Sequence, residues 1–423
     1  MLHSLRRLID VMLVFIRARN MITRAASGKA DARINTSPTV QTQDICFMAV
    51  DQFASSHLAQ LDRLLQFLSQ DPDNLNLLAD AAAVALDAHR FSICDELLVR
   101  HDAIRPLPPH LVNIRGLSSM SQGRFDEALR DFNTLREGGA DPVLIYNVAY
   151  ASAMCGSYDP AASLDTSCLD VIPGAATLKM RALHYLGRLD EAQQLGKSLA
   201  DQPDTQAELK GAYAMLLFDL GDPENAQCYA RQSADTADGL TILGLTALEA
   251  GDVEQAFKLL QDASERNPRE ARATLGLGLC LFAEERFADA AATLDQAAER
   301  LATHMGAWIA AGWAWLLAGD RAAARTRFQH AATHDRGFAE AHGALAVVSH
   351  LEGLHDDARH HAETALRLDP ACLSGALATS LQYEQAGQVA SASTIRNAAM
   401  NQPLGAGGRT IAQSLRTLGL KRK

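Results

Sequence analysis

The 423-residue chain predicts an all-α fold, an α-solenoid of about ten stacked helix hairpins. Three observations carry this prediction. Small residues recur at a fixed 34-residue interval between positions 237 and 400. Within each half-interval the apolar residues follow i, i+3, i+4, i+7, the spacing of one helix face. The composition is 48% hydrophobic but only 5% aromatic, and Ala is abundant. Ala is the strongest helix former and lets helices approach closely.

The first 55 residues stand apart. Residues 1–36 hold seven Lys+Arg and two Asp, whereas the remainder holds 32 Lys+Arg against 48 Asp+Glu. The apolar run from Leu8 to Ile16 is interrupted by Asp10 and is far shorter than the about 20 residues a membrane-spanning helix needs. Arg6 and Arg7 precede it, and Arg17 and Arg19 follow it directly, with no clean cleavage site. Residues 1–24 are therefore expected to be a disordered extension or a targeting or membrane-surface helix, and Met48 offers a second start. Residues 25–45 are polar and rich in Ser and Thr, the composition of a flexible linker.

Residues 56–71, SHLAQLDRLLQFLSQD, read as one amphipathic helix able to cover the first hairpin. Units then begin near 75, 109, 142, 173 and 207, marked by Gly116, Ala149 and Ala214 at position 8 and by Ala128, Ala161, Ala192 and Ala226 at position 20. The stretches GRFDEAL at 123–129 and GRLDEA at 187–192 are near copies, and Pro72, Pro106 and Pro173 punctuate unit ends. The units from 142 and 207 are short, and Cys94 stands where position 20 otherwise carries Ala.

The clearest run starts at 237, 271, 305, 339 and 373. Position 8 is Gly244, Gly278, Gly312, Ala346 and Ser380; position 20 is Ala256, Ala290, Ala324, Ala358 and Ala392; position 27 is Ala263, Ala297, Ala331, Ala365 and Ala399. Small residues at 8 and 20 let the two helices of a hairpin touch, while Leu260, Leu294 and Phe328 at position 24 are expected to fill the gap to the next unit. Gly251, Gly319, Gly353 and Gly387 at position 15 suit a positive φ that ends the first helix, and Glu285 replaces that Gly once. Pro268 and Pro370 stop the second helix. Residues 408–419 predict a closing helix, so the expected organisation is an extension at 1–55, a solenoid at 56–403 and a C-terminal capping helix with a basic tail at 404–423.

These repeats resemble the tetratricopeptide family. The unit from Met305, with WIAAGWAWLLAGD at 308–320 and Trp308 at the family's aromatic position 4, is most like the consensus. YNVAYA at 146–151 resembles the family's start of helix A. The resemblance covers roughly residues 56–403 and implies a right-handed superhelix whose concave face is lined from helix A positions 2, 5, 9 and 12. Here position 9 is Leu245, Leu279, Trp313, Val347 and Leu381, and position 12 is Leu248, Phe282, Leu316, His350 and Glu384. This predicts an apolar strip centred on Trp313 that would receive a helix or extended peptide with hydrophobic anchors. Family members that clamp a C-terminal carboxylate use Lys, Arg and Asn on helix A; Asn113 and Asn147 stand at suitable positions without a Lys pair. Asn147 is expected to bond a peptide backbone instead.

Other chemistries find little support. The acidic body argues against nucleic acid, because phosphate binding needs a basic face, and suits basic partner segments. Seven widely spaced Cys without CxxC read as buried thiols of a reducing compartment. Eight of fourteen His lie between His304 and His361, and His330 with His334 has the i, i+4 spacing of a metal pair, but no third ligand follows; they are expected to be solvated, with no metal. Gly276 and Gly278 form a GxG inside a helix, and Gly278 is the packing glycine rather than a nucleotide loop. No P-loop, HExxH or GxSxG occurs, so neither a cofactor nor an enzyme is predicted. The expected function is a cytoplasmic, chaperone-like scaffold or adaptor that binds a protein or peptide. The alternative is a membrane-associated assembly factor of envelope or secretion machinery, tethered by residues 1–24. Arg greatly outnumbers Lys, as in GC-rich bacterial genomes.

Overall fold

The computed structural model describes residues 50–136, 141–302, 304–401, 403–404 and 409–410. Of the extension expected at 1–55, residues 1–49, with the linker at 25–45, lie outside them, and residues 50–55 are helical. The chain falls into two compact units, one ending at Leu195 and one beginning at Gly196, a boundary that lies within the helix Leu189–Leu199.

In the first unit, α1 (Val50–Gln70) contains the covering helix expected at 56–71 and begins six residues before it. Its Leu61 and Leu68 share a core with Leu78 of α2 (Leu75–Asp87) and Leu97 of α3 (Phe91–Ile104). The hairpin of α4 (Pro109–Ser121) and α5 (Phe125–Arg136) follows. Then comes α6 (Pro142–Met154), capped by the Asp141 carboxylate accepting from Val143 N at 3.1 Å, with Pro142 at the first helical position. The short unit from 142 loses a regular second helix. Its chain forms two single turns, α7 (Asp159–Ala162) and α8 (Thr166–Leu169), before α9 (Ala175–Tyr185) and α10 (Leu189–Leu199).

The second unit continues with α11 (Ala207–Asp219) and α12 (Pro223–Gln232), and then runs in regular pairs. These are α13 (Ala237–Ala250) with α14 (Val253–Arg266), α15 (Ala271–Ala283) with α16 (Phe287–Leu301), and α17 (Met305–Ala318) with α18 (Arg321–His334). The last two pairs are α19 (Ala339–Leu351) with α20 (His355–Leu368), and α21 (Leu373–Gln385) with α22 (Val389–Met400). Asp222, Asp252 and Asp320 each accept from a backbone N–H three residues on, which caps α12, α14 and α18.

One backbone feature is common to all ten described hairpins. The residue fifteen places into each unit has a positive φ: His89, Gly123, Gly156, Gly187, Gly221, Gly251, Glu285, Gly319, Gly353 and Gly387. The looser units therefore keep the register of the regular ones. Position 20 is equally constant, because Cys94 and the nine Ala there are all fully buried.

Position 24 packs back onto its own hairpin as well as forward. A Cβ added to Gly244 would lie 2.6 Å from Leu260, one on Gly278 2.6 Å from Leu294, and one on Gly312 2.3 Å from Phe328. Leu260 also reaches forward, to within 2.7 Å of a Cβ placed on Gly276. Both glycines of the GxG are thus packing residues.

Two expectations need correction. In place of a closing helix from 408, Arg409–Thr410 (β2) pairs antiparallel with Pro403–Leu404 (β1). Three Gly fall in 405–408, and their backbone entropy opposes a helix there; the remainder of that helix lies outside the described residues. The thiols are also not uniformly buried: Cys94, Cys168, Cys280 and Cys372 are, whereas Cys155 and Cys228 are exposed.

Candidate interaction surface

The structure gathers the predicted strip into one place and then closes it. Leu248, Leu279, Phe282, Trp313, Leu316, Val347 and Leu381 all belong to a single buried cluster of the second unit, with Leu245 half-buried against it. Trp313 is only 1% exposed, and its ring lies 5.4 Å from that of Phe328. The reason is the sequence's own economy of size. Small residues at positions 8 and 20 bring the helices close enough for the large residues at 9 and 12 to fill the space between them. Glu384 leaves the strip and pairs with Arg396 across the last hairpin. Asn147, also buried, belongs to the first unit and is not part of the cluster.

Two atoms of the closed strip stand out. Trp313 Nε1 and His350 Nδ1 are both buried and have no hydrogen-bond partner among the described residues. An unmet buried polar group costs about 1–3 kcal/mol. Burial, and then the charge of His355 with its ring 5.8 Å away, hold the His350 imidazole below its ordinary 6.5.

Next to the strip lies a polar lock that spacing alone does not reveal. Asp295 on α16 accepts from Arg327 Nε at 3.0 Å, from Arg327 Nη2 at 2.6 Å and from Trp315 Nε1 at 2.8 Å. The Arg327 guanidinium also lies 5.7 Å from the Trp315 ring centre. Its hydrogen bonds to Asp295 raise the Arg327 pKa, against the opposing effect of burial. Two consecutive hairpins are joined here by one carboxylate, with the bidentate geometry that only Arg offers.

Glu340 makes a comparable link in the following unit. Its buried carboxylate accepts from Leu373 N at 2.9 Å and Ser374 N at 3.2 Å, so it caps the first turn of α21 from the preceding unit. The close approach that allows this is set by Gly343, where an added Cβ would lie 2.4 Å from Gly375 N.

The histidines are solvated only in part: His334, His355 and His360 are exposed as expected, whereas His330, His342 and His361 are half-buried and His350 is buried. The His330 ring packs at a tilt against Trp308, with ring centres 4.0 Å apart, and stacks on His334 at 4.1 Å. Among the described residues no group of three or more His, Cys, Asp or Glu is placed to hold a metal, and no helix is long and apolar enough to cross a membrane.

Residues 243–304 match the sequence profile described as Tetratricopeptide repeat. The chain carries tetratricopeptide repeats. No curated protein matches it. Among solved structures, MamA is 22% identical over 37% of this chain and 92% of its own, with a TM-score of 0.31. MamA from Desulfovibrio magneticus RS-1 is 18% identical over 39% of this chain and 96% of its own, with a TM-score of 0.34. The APC/C hetero-tetramer Cut9-Hcn1 gives 13% identity over 87% of this chain and 88% of the other, at a TM-score of 0.46. Tetratricopeptide-repeat proteins are in general interaction scaffolds.

Proposed function

We propose that the second unit holds a polypeptide segment along the face of α13, α15, α17 and α19, and that it recognises both apolar side chains and backbone. The observation that carries this reading is the pair of orphaned polar atoms, Trp313 Nε1 and His350 Nδ1, embedded in an otherwise apolar strip. A peptide carbonyl could accept from the indole, and a peptide N–H could donate to the imidazole. Leu245, half-buried at the edge of the strip, would give an apolar anchor its first contact. Burial implies that such a guest is admitted by a small separation of neighbouring hairpins. Stacked repeats suit this motion, since each contacts only its neighbours.

The fitting guest is an apolar or amphipathic segment, and the acidic body favours basic flanks on it. The tethered alternative depends on residues 1–24, outside the described residues, and no structural observation favours it.

The test uses a partner recovered by affinity capture, then purified. Leu245→Asp lies at the strip's edge, and Trp313→Phe removes only the indole N–H from a ring that must stay large. Both variants should keep wild-type helicity and weaken partner binding by about tenfold or more. Unchanged affinity in both folded variants would contradict the assignment.

A further inference from the structure

A second feature of the same unit is independent of the strip. In the unit from Met305, Trp308 fills the space beside the second helix by packing its ring at a tilt against His330. The residues 34 positions on are His342 and Thr364. Both are smaller, and the space is not filled. A cleft of about 490 Å³ opens there between α18, α19 and α20.

Its polar lining is one-sided. Arg336, Arg367, His342 and His361 face it together with the neutral Gln329 and Thr333, and no carboxylate lines it. This is unusual in a chain whose formal net charge is −11. The His342 and His361 rings lie 5.8 Å apart, and Nδ1 of each is buried without a hydrogen-bond partner among the described residues.

We propose that this cleft binds a small oxyanion, a carboxylate or phosphate group, held by the Arg336 and Arg367 guanidiniums over the two imidazoles. Guanidinium is the side chain best matched to either group, because its fork makes paired hydrogen bonds to two oxygens. The residues involved come from second helices and the turn after α18, apart from His342. The site is therefore distinct from the clamp that the family builds on helix A.

The groups around His361 set a pH dependence. Burial first, then His342 and His360, hold its imidazole below the ordinary 6.5; Arg325 on α18 acts in the same sense, and Asp357 on its own helix opposes them. An anion in the cleft would favour the protonated ring, so binding should strengthen as pH falls.

The test is titration of the full chain with two probes: sulfate, a tetrahedral anion of constant charge, and glutarate, a carboxylate. Imidazole NMR signals of His342 and His361 report on the site. Saturable shifts are expected with at least one probe, and which probe binds tells a phosphate-type from a carboxylate-type ligand. Affinity should rise by roughly tenfold from about pH 7.5 to about 6.5, the change in protonated fraction for a histidine that titrates below this window. The exposed pair Arg336→Gln/Arg367→Gln should fold normally and bind about tenfold more weakly or worse. The proposal is overturned if neither probe gives saturable shifts, or if the double variant binds like wild type.

Discussion

Glu285 shows how one residue can break a rule that the backbone keeps. It occupies the turn position that eight other hairpins fill with Gly, and it adopts the same left-handed conformation, with φ 61°. A side chain there costs roughly 1–2 kcal/mol. Glu285→Gly should therefore stabilise the second unit by up to about 1 kcal/mol, since the greater freedom of Gly in the unfolded chain offsets some of the gain. Urea unfolding followed by tryptophan fluorescence would measure this, because Trp308, Trp313 and Trp315 all lie on α17. A lower unfolding midpoint would show that the contacts of the Glu285 side chain outweigh the strain. The turn at 285 is legible in the sequence because its neighbours in phase, Gly251 and Gly319, announce it. The burial of Trp313 is not: position 9 of helix A is the same whether neighbouring helices stand apart or touch, and only the summed volumes of the residues between them decide.

At the scale of elements, α18, α19 and α20 hold an unusual group of titrating side chains. His330, His350 and His361 all have pKa values below the ordinary 6.5, each chiefly through burial. The unfolded chain takes up protons near 6.5 while the folded helices resist until lower pH, so their contribution is complete above about 6.5 and is lost as pH falls through that value. Tryptophan-monitored stability of the second unit should decline between about pH 7 and 5.5, before ordinary carboxylates protonate. Replacing His350 and His361 by Gln should flatten that decline; a profile level across this range in the wild type would contradict it. The sequence displays the cluster of His but not its setting, because the packing of His330 against Trp308 and the approach of His342 to His361 depend on how the two helices of each hairpin rotate onto each other. The cleft beside His342 does have a signal in the sequence, the loss of Trp at the position that Trp308 occupies one repeat earlier.

For the whole molecule, the governing idea is that small residues at fixed intervals let paired helices touch and large ones fill what remains. The ten-hairpin register is legible throughout, since size and helix periodicity are written directly in the residue string. The division near residue 195 is not, although the short unit from 142, with its second helix reduced to two single turns, lies close to it. The closing helix expected from 408 fails at Arg409 and Thr410, and the Gly-rich stretch just before them, Gly405, Gly407 and Gly408, is the signal in the sequence that opposes it. The idea itself can be tested on two neighbours in one helix. Ala324, on α18 at position 20 of its unit, is fully buried, whereas Ala322, two residues earlier, is exposed. Unfolding free energies of Ala324→Leu and Ala322→Leu, measured side by side in urea by tryptophan fluorescence, put the claim at risk most directly. The expected result is a loss of about 1–3 kcal/mol for Ala324→Leu from overpacking and a change within about 0.5 kcal/mol for Ala322→Leu. Equal effects of the two substitutions would contradict it.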